Sequence, residues 1–293
     1  MKQDISIPTQ FPLQEELLDL LKKLLTLHSV YVIGYNKEKK QQNVYLLPQS
    51  VSSQKVVTYT LLIITYKPIS KRLGDFMDDL YNKMQKRCKV YVITYTLSKV
   101  KKRLNYGDNF LSKNIFQTPC IYKEDDCLSK FSNYALLFHQ NVYDRIQETW
   151  TNRMDRAEYL LAIIDNIEPK EDSISRLSIL HHALEQVSMG LLFVFWEFKP
   201  QHYSLSYLLH LCSQFSQLPQ TIFPKATYGL HRIYYMLSNA HHIIRFKVQN
   251  EFSNEDTDKA YNRCEWFYDE AKKLGDAQLE HLKELHCNPS NQY

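Results

Sequence analysis

The spacing of apolar residues divides the chain into two parts that predict different folds. Up to about residue 127, β-branched and aromatic runs alternate with amphipathic stretches, which predicts a sheet covered by helices. The predicted strands are Ser29–Tyr35, Val44–Leu47, Val56–Tyr66, Val90–Thr96 and Ile115–Tyr122. A polar turn is predicted at Asn36–Asn43, an amphipathic helix after Pro12, another at Leu73–Met84, and a basic helix-like stretch after Thr96.

From residue 128 onward the apolar spacing is helical. The predicted helices are Phe131–Ile167, Ser173–Phe198, Leu205–Phe215, Lys225–Phe246 and a last one from Ser253 to about Leu285. Ser253 and Asp256 have the spacing of a capping box, and the short connections predict an antiparallel bundle. The predicted fold class is therefore α+β, with an α/β domain at 1–127, a helical bundle at 128–287 and a frayed tail at 288–293.

Composition narrows the class of protein. No stretch approaches the ~18 uninterrupted apolar residues of a membrane span, and no basic segment followed by an apolar run opens the chain. The six cysteines lack a CxxC pair or a zinc-type Cys/His spacing, and the six glycines form no phosphate-binding loop. These patterns predict a cytoplasmic protein with reduced thiols and with no membrane partner, metal or cofactor.

Charge differs between the two parts. Residues 1–130 contain 21 Lys and Arg against 12 Asp and Glu, whereas the remaining residues contain 15 against 20. Two basic runs interleave with tyrosines, and their candidate binding residues are Lys86, Arg87, Lys101, Lys102 and Arg103. They suit either a phosphate backbone or docking on the acidic bundle, and the sequence leaves both open.

Three stretches of the helical part resemble the HEPN family of helical domains. Leu180-His181-His182-Ala183-Leu184-Glu185 is similar to its apolar–x–x–His–Gln–Ala–x–Glu helix, with His182 in place of Gln. Tyr203–Leu209 resembles the following short helix, and His242–Phe246 resembles an Arg-aromatic step late in the fourth helix. The resemblance spans about residues 131–275 and implies a bundle that dimerises.

The first part resembles the minimal nucleotidyltransferase domain often fused to HEPN. Gly34-Tyr35 lies where that family has Gly-Ser, Thr58–Ile64 lies where it has Asp-x-Asp before an apolar strand, and Phe116–Tyr122 resembles its closing segment. The resemblance implies nucleotidyl transfer with Mg²⁺ held by carboxylates. Thr58 and Thr60 are neutral and poor ligands for that cation, so a transferase-like fold without the chemistry is expected.

Catalytic candidates follow from the same resemblance. HEPN ribonucleases use an Arg-x4–6-His motif, but here Asn250 stands where the His after Arg245 would be. Arg176 with His181 matches the motif formally, in a different helix. The candidates are therefore Arg245, His241, His242, Arg176 and His181, of which Arg245 and His242 are also candidates for binding.

Three functions remain open on this basis. The first is a non-catalytic binding or regulatory protein, linked to a nucleotide or RNA, that forms a homodimer through its helical domain. The second is a HEPN-type ribonuclease that uses Arg245 or Arg176 with a nearby His. The third is a purely structural interaction module. The absent carboxylates and motif His count against the second.

Overall fold

A computed structural model of the chain describes residues 10–42, 52–131, 136–166, 172–225, 227–246 and 252–287. The chain forms two compact units, Met1–Leu137 and Phe138–Tyr293. The first unit holds a small mixed sheet and the second is helical, which confirms the predicted α+β class.

The first unit is a four-stranded sheet with helices. Its elements are α1 (Gln14–Leu24), β1 (Leu27–Gln42), β2 (Ser52–Thr65), α2 (Leu73–Lys83), β3 (Cys88–Thr96), α3 (Leu97–Asn105), α4 (Asn109–Gln117) and β4 (Cys120–Lys123), followed by a 3-10 turn at Ser129–Phe131. The strand order is β3-β2-β1-β4, with β2 and β3 parallel and the other pairs antiparallel.

Helices cover both faces of this sheet. Side chains alternate along a strand, and Leu61 and Ile63 of β2 pack in one core with α1 and α2. Leu62 and Ile64 are also buried but point to the opposite face. Tyr95 of β3 contacts Arg103 there, which places α3 on that second face. Because both faces are covered, the sequence of β2 is a continuous apolar run and does not alternate between apolar and polar residues.

The polar segment from Asn36 to Gln42 is part of β1 and does not form the predicted turn. β1 continues through Asn36 to Gln42, which pairs with Ser52 at the start of β2. Asn36 and Lys37 are exposed, so the pairing with β2, and not an apolar pattern, defines this part of β1. The predicted strand Val44–Leu47 lies outside the described residues.

The predicted strand Ile115–Tyr122 is also wrong over most of its length. α4 occupies Asn109–Gln117, and only Cys120–Lys123 forms a strand. Asp108 caps α4 by accepting a hydrogen bond from the Leu111 amide at 2.8 Å. The buried residues of this helix are both apolar and polar, a pattern that the apolar run alone does not show; they are Asn109, Phe110, Leu111, Ser112 and Asn114.

The second unit is all helical. Its elements are α5 (Gln140–Asn166), α6 (Ser173–Trp196), α7 (Leu205–Cys212), α8 (Leu218–Ile222), α9 (Tyr228–Phe246) and α10 (Asn254–Cys287). α5 begins nine residues later than the predicted Phe131. The capping box is confirmed, since the Asp256 amide donates to Ser253 Oγ at 3.1 Å and the Ser253 amide donates to Asp256 Oδ2 at 3.4 Å.

α6 is the central helix of this unit. It packs against α5, α7, α9 and α10, and these contacts account for its apolar residues on all sides. Within the part of the chain that the structure describes, α6 also has the length and hydropathy of a membrane span, and 67% of that segment is buried inside the protein. A core helix of this kind meets the same length and hydropathy criterion.

Candidate functional site

Two helices bring most of the predicted polar residues of the second unit together. α6 contributes His181, His182 and Glu185, and α9 contributes His241 one turn before Arg245. The rings of His181 and His241 lie 5.1 Å apart between their centroids. The two clusters, which the sequence presents separately, therefore form one site.

Glu185 anchors the buried side of this site. Its carboxylate faces His181 Nε2 at 3.1 Å through one oxygen and His182 Nδ1 at 2.9 Å through the other. Burial raises the pKa of Glu185, but the hydrogen bonds and charges of both imidazoles outweigh burial and lower it to about 2. The hydrogen bond that His182 donates to Glu185 raises the pKa of His182 in turn. Glu185 is therefore ionised throughout the physiological range.

His181 ties the two helices to each other. The ring is 2% exposed, and Nδ1 donates to the Leu237 carbonyl of α9 at 2.7 Å. With Nδ1–H so engaged, Nε2 is the nitrogen that faces Glu185. The backbone of α9 is thereby held one turn before His241.

The exposed side of the site lies on the last turns of α9. His241, His242 and Arg245 are all exposed, and Phe246 is 69% exposed with its ring 4.7 Å from that of His242. Burial, the charge of His181 and then those of Arg245 and His242 lower the pKa of His241. We call His241, His242, Arg245 and Phe246 the α9 patch. It offers cationic and aromatic groups to solvent at one helix end.

Arg176, the other candidate arginine, has a different environment. It is buried, and its guanidinium donates to Asp258 Oδ1 of α10 at 2.6 Å. His181 is directed to α9 instead. The formal Arg176–His181 motif therefore lies on one helix with its two side chains engaged by different neighbours, which is the environment of a structural ion pair.

In the first unit, the positions compared with the transferase motif are strand interior. Gly34 pairs with Thr60, and Tyr35 pairs with Tyr59, so no turn lies at Gly34-Tyr35. The Tyr35 ring packs edge-on against Phe11 at 5.3 Å and lies 6.2 Å from Tyr59. An aromatic cluster thus occupies the place where the resemblance predicts a phosphate-binding turn.

The predicted basic residues of the first unit divide between structural and solvent-facing roles. Arg87 donates to Glu16 at 2.6 Å, and Arg103 pairs with Asp108 at 2.5 Å. Lys86 and Lys102 are exposed, and Lys101 is half-buried. Lys86 comes just before β3, whereas Lys101, Lys102 and Arg103 are on α3, which follows β3, so the two runs lie at opposite ends of that strand. They do not combine into one patch.

Among the described residues, two groups have metal-type ligand atoms within 4.8 Å of one another. One is His181, His182 and Glu185; the other is His28, Asp125 and Cys127 in the first unit. The spacing of residues along the sequence identifies neither group completely. The partners of His28 are about a hundred residues away along the chain, and no local motif marks them.

Comparisons with known proteins identify no family for this chain. No protein-family profile and no curated protein matches the chain. A solved nucleotidyltransferase-like protein from Exiguobacterium sibiricum 255-15 is similar at 12% identity and a TM-score of 0.30, over 93% of this chain and 80% of that one. We therefore base the function on the side chains of this chain.

Proposed function

We propose that the second unit binds phosphate groups of a nucleotide or RNA at the α9 patch, and that the chain is a binding or regulatory protein without catalytic activity. The observation that carries this proposal is the grouping of exposed Arg245, His241 and His242 on one end of α9, beside the ionised Glu185. HEPN-like and nucleotidyltransferase-like character belong to the proposal through the sequence resemblance.

The chemistry of the α9 patch suits a phosphate. Arg offers a planar fork of donors that matches two phosphate oxygens, and a protonated imidazole adds a charge-assisted donor. The exposed Phe246 ring provides a face on which a base can stack. Glu185 of α6 accepts a hydrogen bond from His182 of the same helix, and its negative charge acts on His241 of the patch.

The first unit supports the non-catalytic part of the proposal. Thr60 is 1% exposed and Thr58 is half-buried, and both sit in the ladder of β2 opposite β1. Nucleotidyl transfer needs carboxylates that bind Mg²⁺ against the triphosphate. Two threonines at these positions supply no charge for that purpose.

Arg245→Ala is expected to weaken binding of labelled single-stranded RNA by about 10-fold or more, since one charge-assisted contact contributes about 1.5–3 kcal/mol. Fluorescence anisotropy of the full chain at low salt measures this. Arg145→Ala is the matched control, because Arg145 is exposed on α5 of the same unit. The melting temperatures of both variants should stay close to that of the parent chain.

The same experiment separates binding from the alternatives. Affinity should rise as the pH falls below 6.5, because the lowered pKa of His241 leaves its ring neutral above that value and an anion favours the protonated form. Equal losses in Arg145→Ala and Arg245→Ala, or no binding of RNA or ATP by the parent chain at low salt, would contradict the proposal.

A ribonuclease is the second candidate, favoured by one observation. A His241 that is neutral at pH 7 beside an arginine has the composition of a base and a phosphate-binding group. Gel analysis of the RNA recovered from the binding assay tests it. Cleavage that is lost in both His241→Ala and Arg245→Ala would replace the non-catalytic proposal.

A homodimer through the helical unit is part of the proposal, with α9 rather than α6 as its surface. The helices of its own unit cover α6, whereas α9 exposes Tyr235 and Ile244. Light scattering of the full chain at micromolar concentration should give twice the monomer mass, and Ile244→Glu should give a monomer. A monomeric parent chain would refute the dimer and leave the binding test unaffected.

A further inference from the structure

A second group of chemically active side chains lies in the first unit, away from the α9 patch. His28 is near the start of β1, and Asp125 and Cys127 follow β4. The antiparallel pairing of Ser29 with Lys123 and the hydrogen bond from the Glu124 amide to the His28 carbonyl at 2.8 Å hold the two segments side by side. The fold of the sheet edge thereby places three ligand types together.

The three ligand atoms converge on one point. His28 Nε2 lies 3.1 Å from Asp125 Oδ1 and 3.3 Å from Cys127 Sγ. Tetrahedral Zn²⁺ with bonds of ~2.0–2.3 Å spaces its N, O and S ligands ~3.3–3.6 Å apart. The observed spacings are a few tenths of an ångström shorter, so a small outward movement of exposed side chains suffices to admit the ion.

The pattern differs from that of a catalytic relay. In a relay, the nucleophile and the orienting carboxylate contact opposite nitrogens of the imidazole. Here both contact the same nitrogen of His28. A cation shared by the three side chains requires that they converge on one nitrogen of His28. Proton transfer from a thiol to the imidazole has no such requirement.

The surrounding groups fix the orientation of the ligands. His28 is 1% exposed, and its other nitrogen, Nδ1, lies 3.0 Å from the hydroxyl of the buried Ser29. With Nδ1–H donating to that hydroxyl, Nε2 presents its lone pair to the site. The Cys127 amide donates to Asp125 Oδ1 at 2.8 Å, and the Tyr66 ring packs edge-on against the imidazole at 5.5 Å. These contacts fix the orientation of the His28 ring and of the Asp125 carboxylate.

We propose that His28, Asp125 and Cys127 form a Zn²⁺ site whose fourth position is open to water. The Asp125 side chain is 49% exposed and Cys127 is half-buried, so the site opens to solvent on the side opposite His28. One thiolate, one imidazole and one carboxylate are a ligand set that a borderline-soft cation such as Zn²⁺ accepts. Cys127 binds as the thiolate and releases its proton to the buffer.

Co²⁺ titration of the metal-free full chain tests the proposal. The expected result is one equivalent of Co²⁺ with intense tetrahedral bands in the visible and a sulfur-to-cobalt charge-transfer band in the near ultraviolet, both removed by added Zn²⁺. Cys127→Ser should abolish the charge-transfer band, and Asp125→Asn should weaken Co²⁺ affinity by about 10-fold or more, as loss of a metal-linked side chain does. Cys120→Ser is the matched control, because Cys120 is an exposed free thiol on the neighbouring β4.

The outcomes are distinguishable. Co²⁺ bound at His181, His182 and Glu185 would give no thiolate band, and such a result would overturn the proposal. A charge-transfer band that persists in Cys127→Ser, or that disappears in Cys120→Ser, would overturn it as well. Because Asp125 is partly exposed, Asp125→Asn keeps the test valid if Cys127→Ser fails to fold.

Discussion

Replacing Gly275 by alanine is expected to destabilise the second unit strongly, although alanine is the better helix former. Gly275 lies in the middle of α10, where a Cβ would stand 2.9 Å from Cε2 of Trp150 and closer still to Cζ2 and Cη2 of the same ring. Trp150 is 3% exposed, and its indole N–H donates to Asp276 Oδ1 at 2.8 Å. The ring therefore has little freedom to withdraw.

Gly190 of α6 flanks the same indole from another side. A Cβ there would meet Cε3 at 3.0 Å. Two of the six glycines of the chain thus lie inside helices where an indole leaves no room for a side chain. The usual gain of about 1 kcal/mol for Gly→Ala in a helix is reversed by the overlap.

We expect Gly275→Ala to lower the free energy of unfolding by about 2–4 kcal/mol, or roughly 5–15 °C in melting temperature. Thermal unfolding followed by helical circular dichroism measures this. Gly229→Ala is the matched control: Gly229 is in the first turn of α9, none of the described residues comes within 4 Å of the place where its methyl group would lie, and no loss is expected. Trp150→Phe should cost less in the Gly275→Ala background than alone; strictly additive losses would contradict the proposed overlap.

Replacement of Glu185 by glutamine is expected to have the second large effect. Glu185 receives hydrogen bonds from two imidazoles, and its side chain is only 15% exposed. A neutral amide no longer offers either ring a charged acceptor, a loss of about 1–3 kcal/mol at pH 6. Urea unfolding measures it, with Glu148→Gln on the exposed side of α5 as the matched control.

The difference in stability between the parent chain and Glu185→Gln should depend on pH in a defined way. The folded pKa of Glu185 is about 2, below its ordinary 4.5, so its contribution is complete above pH 4.5 and is lost as the pH falls toward 2. The folded pKa of His182 is raised above 6.5, so its contribution is complete below pH 6.5 and is lost as the pH rises through the raised value. The difference should therefore be largest between pH 4.5 and 6.5; a difference that does not change with pH would refute the ion-pair network.

The sequence predicts well those elements that periodicity and local chemistry determine. The span of α6, the capping box of α10 and the buried strand β2 all follow from spacing within a few residues. The polar end of β1 and the helix α4 do not follow from it. Pairing along the hairpin determines the first, and the Asp108 cap together with the burial of polar residues such as Asn114 determines the second.

The candidate sites show the same division. The polar residues of α6 and of α9 can each be identified from helical spacing, but nothing in the sequence shows that the Leu237 carbonyl receives the His181 ring. The sequence does not identify the group of His28, Asp125 and Cys127, because the pairing of β1 with β4 brings these residues together. Long-range strand and helix contacts determine these sites, and single-sequence periodicity does not contain that information.

The central position of α6 has a consequence for the synthesis of the chain on the ribosome. α6 is complete at Trp196, but its contacts with α10 cannot form until the residues around Gly275 have been translated. At roughly 5–20 residues per second that interval lasts on the order of seconds. During it the long apolar helix α6 lacks one of its covering helices, so it is a target for a chaperone that binds nascent apolar segments. Slower translation through α10 should increase aggregation of the nascent chain.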